Sequence, residues 1–286
     1  MRVVDSHLHL WDPWELEYEW LEGPMVGRFA ETEIFEEQLP DVSEEVAIFV
    51  QAETVEHALV DEVAWVEDIA DAAGVVAIVA GARLDRGAAT ADHLDRLAEH
   101  ERVVGVRHLL QGERAGLASS AEFVVGARRL AARGWTFDAC VQAHQISEVA
   151  ALAAAVPELR IVLDHLGKPA VGTAERPLRP SAEWLRDLHS VAAYPLAHAK
   201  LSGLPAEAGG EWTDAQLVPF LDTALEAFGP DRLMWGSDWP VSSIGADYQQ
   251  GARARWFRTV LDWSVSRGVS SEALFWSTPL AFYGIR

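Results

Sequence analysis

Short apolar runs alternate with longer amphipathic stretches along the whole chain. The runs are rich in β-branched residues, and a short run of that kind is typical of a parallel strand that is buried on both faces. Eight of them lie at residues 3–4, 46–50, 75–79, 103–106, 136–141, 159–163, 197–201 and 233–235. The pattern therefore predicts eight buried strands.

The stretches between the runs have the period of amphipathic helices. In the clearest of them, Thr213 and Gln216 form a capping-box pattern and Gly229-Pro230 marks the end. Strands that alternate with helices indicate βαβ units and a parallel sheet. Eight units predict an α/β fold, a (β/α)₈ barrel that forms a single domain over residues 1–286. An open doubly wound sheet is the alternative, but the glycine-rich turn of a dinucleotide fold is missing after the first run.

The longest irregular connection, residues 10–41, is rich in aromatic residues. It contains Trp11, Trp14, Tyr18, Trp20 and Phe29 among many acids. So many aromatic side chains are unusual in a mobile loop, and long loops of barrels carry binding functions. We expect this segment to fold over the mouth of the barrel and to wall its pocket.

The charge of the chain narrows the classes of partner. Its 44 Asp and Glu residues against 23 Lys and Arg residues give a formal net charge of −21. A nucleic acid or an anionic membrane would require a basic surface, so neither is an expected partner.

A lone cysteine, Cys140, allows no intrachain disulfide. With no apolar run long enough for a signal peptide or a membrane span, the expected location is the cytoplasm.

Polar residues follow the predicted strands at positions where barrel enzymes carry their chemistry. The first strand leads into Asp5, His7 and His9, which alternation places on one face. Two imidazoles at this spacing can bind one metal ion or polarise one carbonyl, although a hydrogen-bonded pair of core histidines is an alternative. His165 follows the sixth strand and Asp238 the eighth. Four such residues at strand ends of one barrel favour an active site.

Three motifs carry a resemblance to a known family. They are Asp5-Ser6-His7-Leu8-His9, Asp164-His165-Leu166-Gly167-Lys168-Pro169 and Gly236-Ser237-Asp238-Trp239-Pro240. In this order the motifs resemble those of the amidohydrolase superfamily, in its amidohydrolase-2 branch. The chain is most similar to the lactonase group of that branch, which hydrolyses sugar lactones and pyrone or muconate-type lactones. The resemblance implies a hydrolase of carboxylic esters that opens a sugar aldonolactone during carbohydrate catabolism.

The chain also departs from the two-metal members of the superfamily. Its fourth strand ends at Val106-Arg107-His108 without a lysine, and its fifth ends at Cys140-Val141-Gln142 without a histidine. The resemblance therefore implies at most one divalent cation, zinc or manganese, and operation without a metal stays open. The ligands would be His7, His9, His165 and Asp238.

The resemblance also implies catalytic roles. Asp238 would act as the general base toward water, and His7, His9 and His165 would polarise the carbonyl. Arg107 can fork to substrate oxygens, or it can pair with an acid such as Glu53. Lys200 can contact the substrate, or it can form a buried ion pair.

Other polar or aromatic side chains near strand ends are weaker candidates for substrate binding. They are Gln51, Glu53, Arg83, Gln142 and Trp239. Because Arg83, Arg107 and Lys200 all lie near the expected site, we expect a locally positive pocket within an acidic protein.

Three alternatives to a sugar lactonase stay open. They are a hydrolase of muconate- or pyrone-type dicarboxylate lactones, a metal-dependent non-oxidative decarboxylase of the same branch, and a barrel that only binds ligands. In every case the expected partner is a small molecule, and the oligomeric state is undetermined by the sequence.

Overall fold

A computed structural model describes residues 1–285 and contains all eight predicted strands. They are β1 (Arg2–Leu8), β2 (Glu44–Val50), β3 (Val75–Gly81), β4 (Val103–Leu109), β5 (Thr136–Cys140), β6 (Ile161–Leu163), β7 (Ala197–Leu201) and β8 (Leu233–Trp235). β1 is longer than its apolar run because the strand continues through the polar residues Asp5 to His7.

Each strand pairs in parallel with the next one along the chain, in the order β1 to β8. The ring closes beyond the ends of the two terminal strands. There, Leu8 forms a parallel bridge with Trp239, and the Asp238 amide donates to the His7 carbonyl oxygen at 2.8 Å. This confirms the (β/α)₈ barrel, and the closure places the residues after β8 beside those at the end of β1.

Helices separate the strands, as the amphipathic pattern predicts. They are α1 (Glu31–Phe35), α2 (Leu59–Ala73), α3 (Ala88–Leu97), α4 (Ala121–Arg133), α5 (Ile146–Ala155), α6 (Ala182–Ala192), α7 (Leu204–Glu207), α8 (Asp214–Phe228), α9 (Ala252–Arg267) and α10 (Thr278–Tyr283). The predicted capping box of Thr213 and Gln216 opens α8, and Gly229 ends it. No helix among residues 1–285 is both long enough and apolar enough to cross a membrane.

The C-terminal helix α10 fills the end of the barrel opposite the site. Phe282 and Tyr283 pack with inward-facing residues of the strands, among them Val4, Ile48 and Met234. The barrel interior is therefore a packed core at this end, and the residues that follow the strands lie at the other end.

The segment 10–41 forms a compact aromatic layer. Trp11 is fully buried, its indole N–H donates to the Gly27 carbonyl oxygen at 2.9 Å, and its ring contacts the rings of Trp20 and Phe29. Trp20 in turn donates to the Ala52 carbonyl oxygen at 2.7 Å, just past β2. Trp14 and Phe35 lie outside this layer, since they are 75% and 66% exposed.

Candidate active site

The end of β1 places two histidines side by side. His7 and His9 are buried, and their Nε2 atoms lie 3.2 Å apart. Asp5 does not join them, because the β1 register shifts between Asp5 and Leu8. Its carboxylate instead accepts hydrogen bonds from the Ser237 amide at 2.8 Å and from Arg253 of α9 at 2.9 Å. A register shift of this kind redirects side chains, so the expectation that all three share one inward face is wrong.

Asp238 lies at the centre of the three histidines. Its Oδ1 atom is 3.4 Å from His9 Nε2, 3.6 Å from His165 Nε2 and 3.8 Å from His7 Nε2. Its Oδ2 atom accepts a hydrogen bond from Ser242 at 2.8 Å. The residue has a left-handed backbone with φ of 55°. Strained backbone of this kind is concentrated at functional sites.

Neighbouring groups set the orientation of two imidazole rings. His9 donates from Nδ1 to the Val50 carbonyl oxygen at 2.8 Å, and His165 Nδ1 lies 2.9 Å from the Ser202 hydroxyl. Both rings therefore turn Nε2 toward Asp238. Gly203 packs on the His165 ring so closely that a Cβ there would lie 2.5 Å from it.

Burial and neighbouring charges shift the pKa values of the three histidines and of Asp238. It lowers the pKa of His165 to about 4 and also lowers the pKa of His9. Burial, together with the Lys200 ammonium, holds the pKa of His7 well below its usual range. Burial would raise the pKa of Asp238, but the imidazoles around it hold that pKa far below the usual range. At neutral pH the site thus combines neutral imidazoles with an ionised carboxylate.

These side chains fit one divalent cation. Ligand atoms of His7, His165 and Asp238 lie within 4.8 Å of one another, and the distances from Asp238 and between His7 and His9 are 3.2 to 3.8 Å. Two ligands on a tetrahedral zinc ion with bonds of 2.0–2.1 Å are about 3.4 Å apart. His7 would offer Nε2 as a ligand, and its Nδ1 lies 3.3 Å from Asp164 Oδ1.

A second cluster of potential ligands already surrounds a lysine. His7, Asp138 and Asp164 also bring ligand atoms within 4.8 Å of one another. The fully buried Lys200 ammonium lies among them, 2.5 Å from Asp138 Oδ2, 3.1 Å from Asp164 Oδ1 and 3.0 Å from His7 Nδ1. The ammonium takes the place of a second cation, so the alternative of a buried ion pair holds for Lys200.

Asp138, Asp164 and Tyr283 belong to this site but are not among the residues predicted from the sequence. The Tyr283 hydroxyl donates to Asp138 Oδ2 at 2.8 Å from the far end of the barrel. The sequence does contain a signal for one of them, because Asp138 lies within the buried apolar run of β5. A buried carboxylate requires a partner, and the chain has only two lysines.

Arg107 reaches the site from β4. Its side chain is buried, with one terminal nitrogen 3.4 Å from His7 Nε2 and 3.8 Å from Asp164, and the other donating to the Gln51 carbonyl oxygen. Its Nε is buried and has no partner among residues 1–285. Glu53 forms no ion pair with it within that range, so the proposed Arg107–Glu53 pair is not formed.

A cavity of about 130 Å³ opens above Asp238. Its wall is formed by His9, Trp20, Ala52, Glu53, Arg107, Leu109, Gln111, Cys140, His165, Lys168, Gly203, Ala206, Glu207, Asp238 and Val241. Trp20 comes from the segment 10–41, so part of that segment does wall the cavity. Lys168, Gln111 and Glu207 were absent from the sequence-based candidates.

Arg83 and Gln142 lie outside this wall. Arg83 pairs with Glu113 at 2.6 Å and borders a neighbouring cleft. Gln142 caps the short helical turn Ala143–Gln145. With Arg83 outside the cavity and Lys200 beneath it, the wall has three carboxylates and two cationic side chains. The expectation of a locally positive pocket is therefore wrong.

Gln51 and Trp239 support the wall from behind. The Gln51 side chain accepts a hydrogen bond from the Glu53 amide at 2.5 Å, and Gln51 borders the neighbouring cleft. Trp239 is fully buried, and its indole N–H donates to the Tyr248 hydroxyl at 3.0 Å. Their placement favours a role in positioning rather than direct contact with a ligand.

Comparison with known proteins agrees with this geometry. The chain is 33% identical to L-fucono-1,5-lactonase of Burkholderia multivorans over 302 aligned positions, covering 99% of this chain and 96% of that protein. L-rhamnono-gamma-lactonase of Scheffersomyces stipitis is 24% identical and covers 66% of this chain and 61% of that protein. A crystal structure of a Burkholderia multivorans amidohydrolase with bound zinc matches over 100% of both chains, with a TM-score of 0.79 and 31% identity. A sequence model described as amidohydrolase matches residues 4–285, and the chain therefore belongs to the amidohydrolase family.

Proposed function

We propose that this protein is a lactonase that hydrolyses the ring ester of a sugar aldonolactone to the aldonic acid. The observation that carries the proposal is the placement of one ionised carboxylate oxygen, Asp238 Oδ1, within 3.8 Å of three imidazole Nε2 atoms at the floor of a cavity. A base for water and polarising groups for a carbonyl thus meet at one point. The lactonases among the similar proteins support the same class of reaction.

Asp238 moves the protons in this mechanism. As the water oxygen forms a bond to the lactone carbonyl carbon, a water proton passes to Asp238. The carbonyl π electrons move onto the oxygen and give a tetrahedral alkoxide. When the carbonyl re-forms, the bond to the ring oxygen breaks, and Asp238 returns the proton to that oxygen as it becomes a hydroxyl. The acid then ionises in solvent and releases one proton per turnover.

The alkoxide requires positive charge or hydrogen-bond donors close by. Arg107 supplies both, since its buried guanidinium borders the cavity and its Nε has no partner within residues 1–285. An arginine stays charged at every relevant pH, so it stabilises the alkoxide without itself giving up a proton.

One divalent cation, zinc or manganese, would be held by His7, His9, His165 and Asp238. Such an ion polarises a carbonyl and lowers the pKa of a bound water. The hydrogen bonds from His9 Nδ1 to Val50 and between His165 Nδ1 and Ser202 would fix these rings as ligands. The small-molecule substrate and the cytoplasmic location expected from the sequence stay predictions within this proposal.

A proton-release assay tests the proposal. A panel of sugar, muconate and pyrone lactones is offered to the purified protein, with and without added zinc or manganese. We expect acid release from at least one sugar lactone, and a loss of about 10²–10⁴-fold in kcat for Asp238→Asn. Acid release from none of the lactones under either condition would contradict the proposal, as would normal turnover by a well-folded Asp238→Asn protein. Carbon dioxide release from aromatic acids, measured in parallel, identifies a decarboxylase instead.

A further inference from the structure

Two carboxylates on the cavity wall have no part in the lactonase mechanism. Glu53 follows β2 and Glu207 ends α7, and both residues border the same cavity as Asp238. Both are partly buried, and neither carboxylate accepts a hydrogen bond from any group within residues 1–285. Carboxylates in such positions accept hydrogen bonds from whatever fills the cavity, either water or the donor groups of a ligand.

The backbone holds both glutamates at the wall. Glu53 has a left-handed backbone with φ of 60°, and its amide donates to the Gln51 side chain. Glu207 lies in a single helical turn that begins after Gly203, the glycine that packs on the His165 ring. Burial raises the pKa of both glutamates, and in both cases a nearby cationic side chain opposes that rise.

The two cationic side chains of the wall each donate to a protein acceptor. The Lys168 ammonium donates to Gln111 Oε1, and Arg107 donates to the Gln51 carbonyl oxygen. Neither cation forms an ion pair with Glu53 or Glu207 within the described residues. The oxygens of both glutamates are therefore available to donors on a ligand.

We propose that Glu53 and Glu207 determine substrate specificity, by accepting hydrogen bonds from the hydroxyls of an uncharged polyhydroxylated lactone and by repelling lactones that carry further carboxylates. The inference rests on the proposed lactonase function. An ionised carboxylate can only accept, so its partner on the substrate must be a donor such as a ring hydroxyl. A substrate carboxylate at that position would leave two like charges facing each other in a cavity that excludes much of the solvent.

A ligand that lacks the matching hydrogen-bond donor leaves the acceptors of such a site unpaired. A site built from acceptors therefore rejects that ligand more strongly than an apolar pocket rejects a ligand of the wrong size. The inference therefore predicts discrimination between two ring compounds of equal size. It also separates this protein from a hydrolase of dicarboxylate lactones, for which the wall would need more cations than the two that it has against three carboxylates.

Calorimetric titration with two probes tests the inference. One probe is a six-membered lactam with three ring hydroxyls, and the other is the same ring with two carboxylates in place of hydroxyls. Both are checked to stay intact during the titration. Binding is measured at pH 8 for the wild type, Glu53→Gln, Glu207→Gln and the double variant. Glu211→Gln is the control, because Glu211 is exposed, close in sequence to Glu207 and outside the cavity wall.

We expect the wild type and Glu211→Gln to bind the hydroxylated lactam at least tenfold more tightly than the dicarboxylate. The double Gln variant should reduce that ratio at least fivefold while its melting temperature stays equal or rises, since it removes two partly buried charges. Preference of the wild type for the dicarboxylate, or an unchanged ratio in the double variant, would overturn the inference.

Turnover of the lactone panel distinguishes the two proposals. A glutamate-dependent preference in a protein that hydrolyses no lactone would sink the lactonase function and leave the specificity inference standing. Turnover of sugar lactones, together with a ratio of probe affinities that does not change when both glutamates are replaced, would support the lactonase function and overturn the specificity inference.

Discussion

The ammonium of Lys200 lies 3.0 Å from Nδ1 of His7, on the side of the imidazole that faces the barrel interior. Both side chains are fully buried, and Asp138 and Asp164 hold the ammonium at 2.5 Å and 3.1 Å. The charge of the site is therefore balanced from beneath, since one buried cation lies between two carboxylates and the histidine whose other nitrogen faces Asp238.

Removal of that cation should destabilise the protein strongly. In Lys200→Met, two buried carboxylates lose their partner, and loss of one member of a buried ion pair typically costs about 3–5 kcal/mol in the free energy of unfolding. Denaturant titration measures this cost. The double variant Lys200→Met with Asp138→Asn should recover part of the loss, because it removes one of the two stranded charges. A single variant as stable as the wild type would show that the ion pairs contribute nothing.

Removal of the Lys200 ammonium should also change the metal stoichiometry. Without the ammonium, His7, Asp138 and Asp164 offer three ligand atoms within 4.8 Å of one another. In Lys200→Ala we expect zinc content to rise above that of the wild type, toward one additional ion per chain. Elemental analysis after zinc loading and gel filtration measures it. Equal zinc content in a folded Lys200→Ala protein would show that the lysine does not exclude a second ion.

The Ser202 hydroxyl should influence the site through His165. Ser202→Ala removes the partner of His165 Nδ1 at 2.9 Å and leaves the ring free to rotate. Loss of a partner behind a ligand or catalytic imidazole typically costs about 10–100-fold in activity or metal affinity. Lactone turnover and zinc titration check this, with Ser266→Ala on the exposed surface of α9 as the matched control. Unchanged zinc affinity together with unchanged turnover would argue against an orienting role.

Alanine substitutions at Gly203 and Gly209 should distinguish the cost of backbone strain from the effect of a contact with the His165 ring. Both glycines have a left-handed backbone, with φ of 69° and 79°, but only at Gly203 would a Cβ meet the His165 ring, whereas at Gly209 it would have nothing within 4 Å. Gly209→Ala should cost about 1 kcal/mol in the free energy of unfolding and leave turnover intact. Gly203→Ala should have a similar backbone cost and also lose at least tenfold in kcat. Equal turnover in the two variants would contradict this contact.

Strand-end positions made the centre of the site predictable. His7, His9, His165 and Asp238 follow three apolar runs, and the parallel barrel brings the carboxyl ends of its strands together. The eight strands were equally readable, because each is a short apolar run between amphipathic helices. These features depend on local periodicity and on topology, which a single sequence records.

The side walls of the cavity were not predictable, because they depend on turns that the sequence signals only in part. Lys168 lies three residues beyond His165, and it returns to the cavity through four left-handed residues, His165, Leu166, Gly167 and Lys168, three of which are not glycine. Only glycine announces such a conformation in a sequence. Arg83 was assigned to the pocket for its position after β3, but Glu113 from another loop draws it away, and such pairing is invisible without the fold.

The buried carboxyl of Glu62 should make stability depend on pH. Burial raises its pKa to about 7, although it accepts a hydrogen bond from the Ala52 amide at 3.0 Å. In the unfolded chain the pKa returns to about 4.3. As the pH rises through this window the unfolded chain releases a proton that the folded protein retains, so the free energy of unfolding falls. The penalty is absent below the window and complete above pH 7.

Glu62→Gln removes this penalty, since an amide has no proton to lose in that range. A shift of this size corresponds to about 3–4 kcal/mol, so the variant should be more stable than the wild type by that amount at pH 8 and by much less at pH 5. Denaturant titrations at both pH values measure the difference. Glu226→Gln on the exposed face of α8 is the control and should show no such dependence on pH. A gain for Glu62→Gln that is equal at pH 5 and pH 8 would mean that the amide improves packing or hydrogen bonding, and that Glu62 ionises in the folded protein as readily as in the unfolded chain.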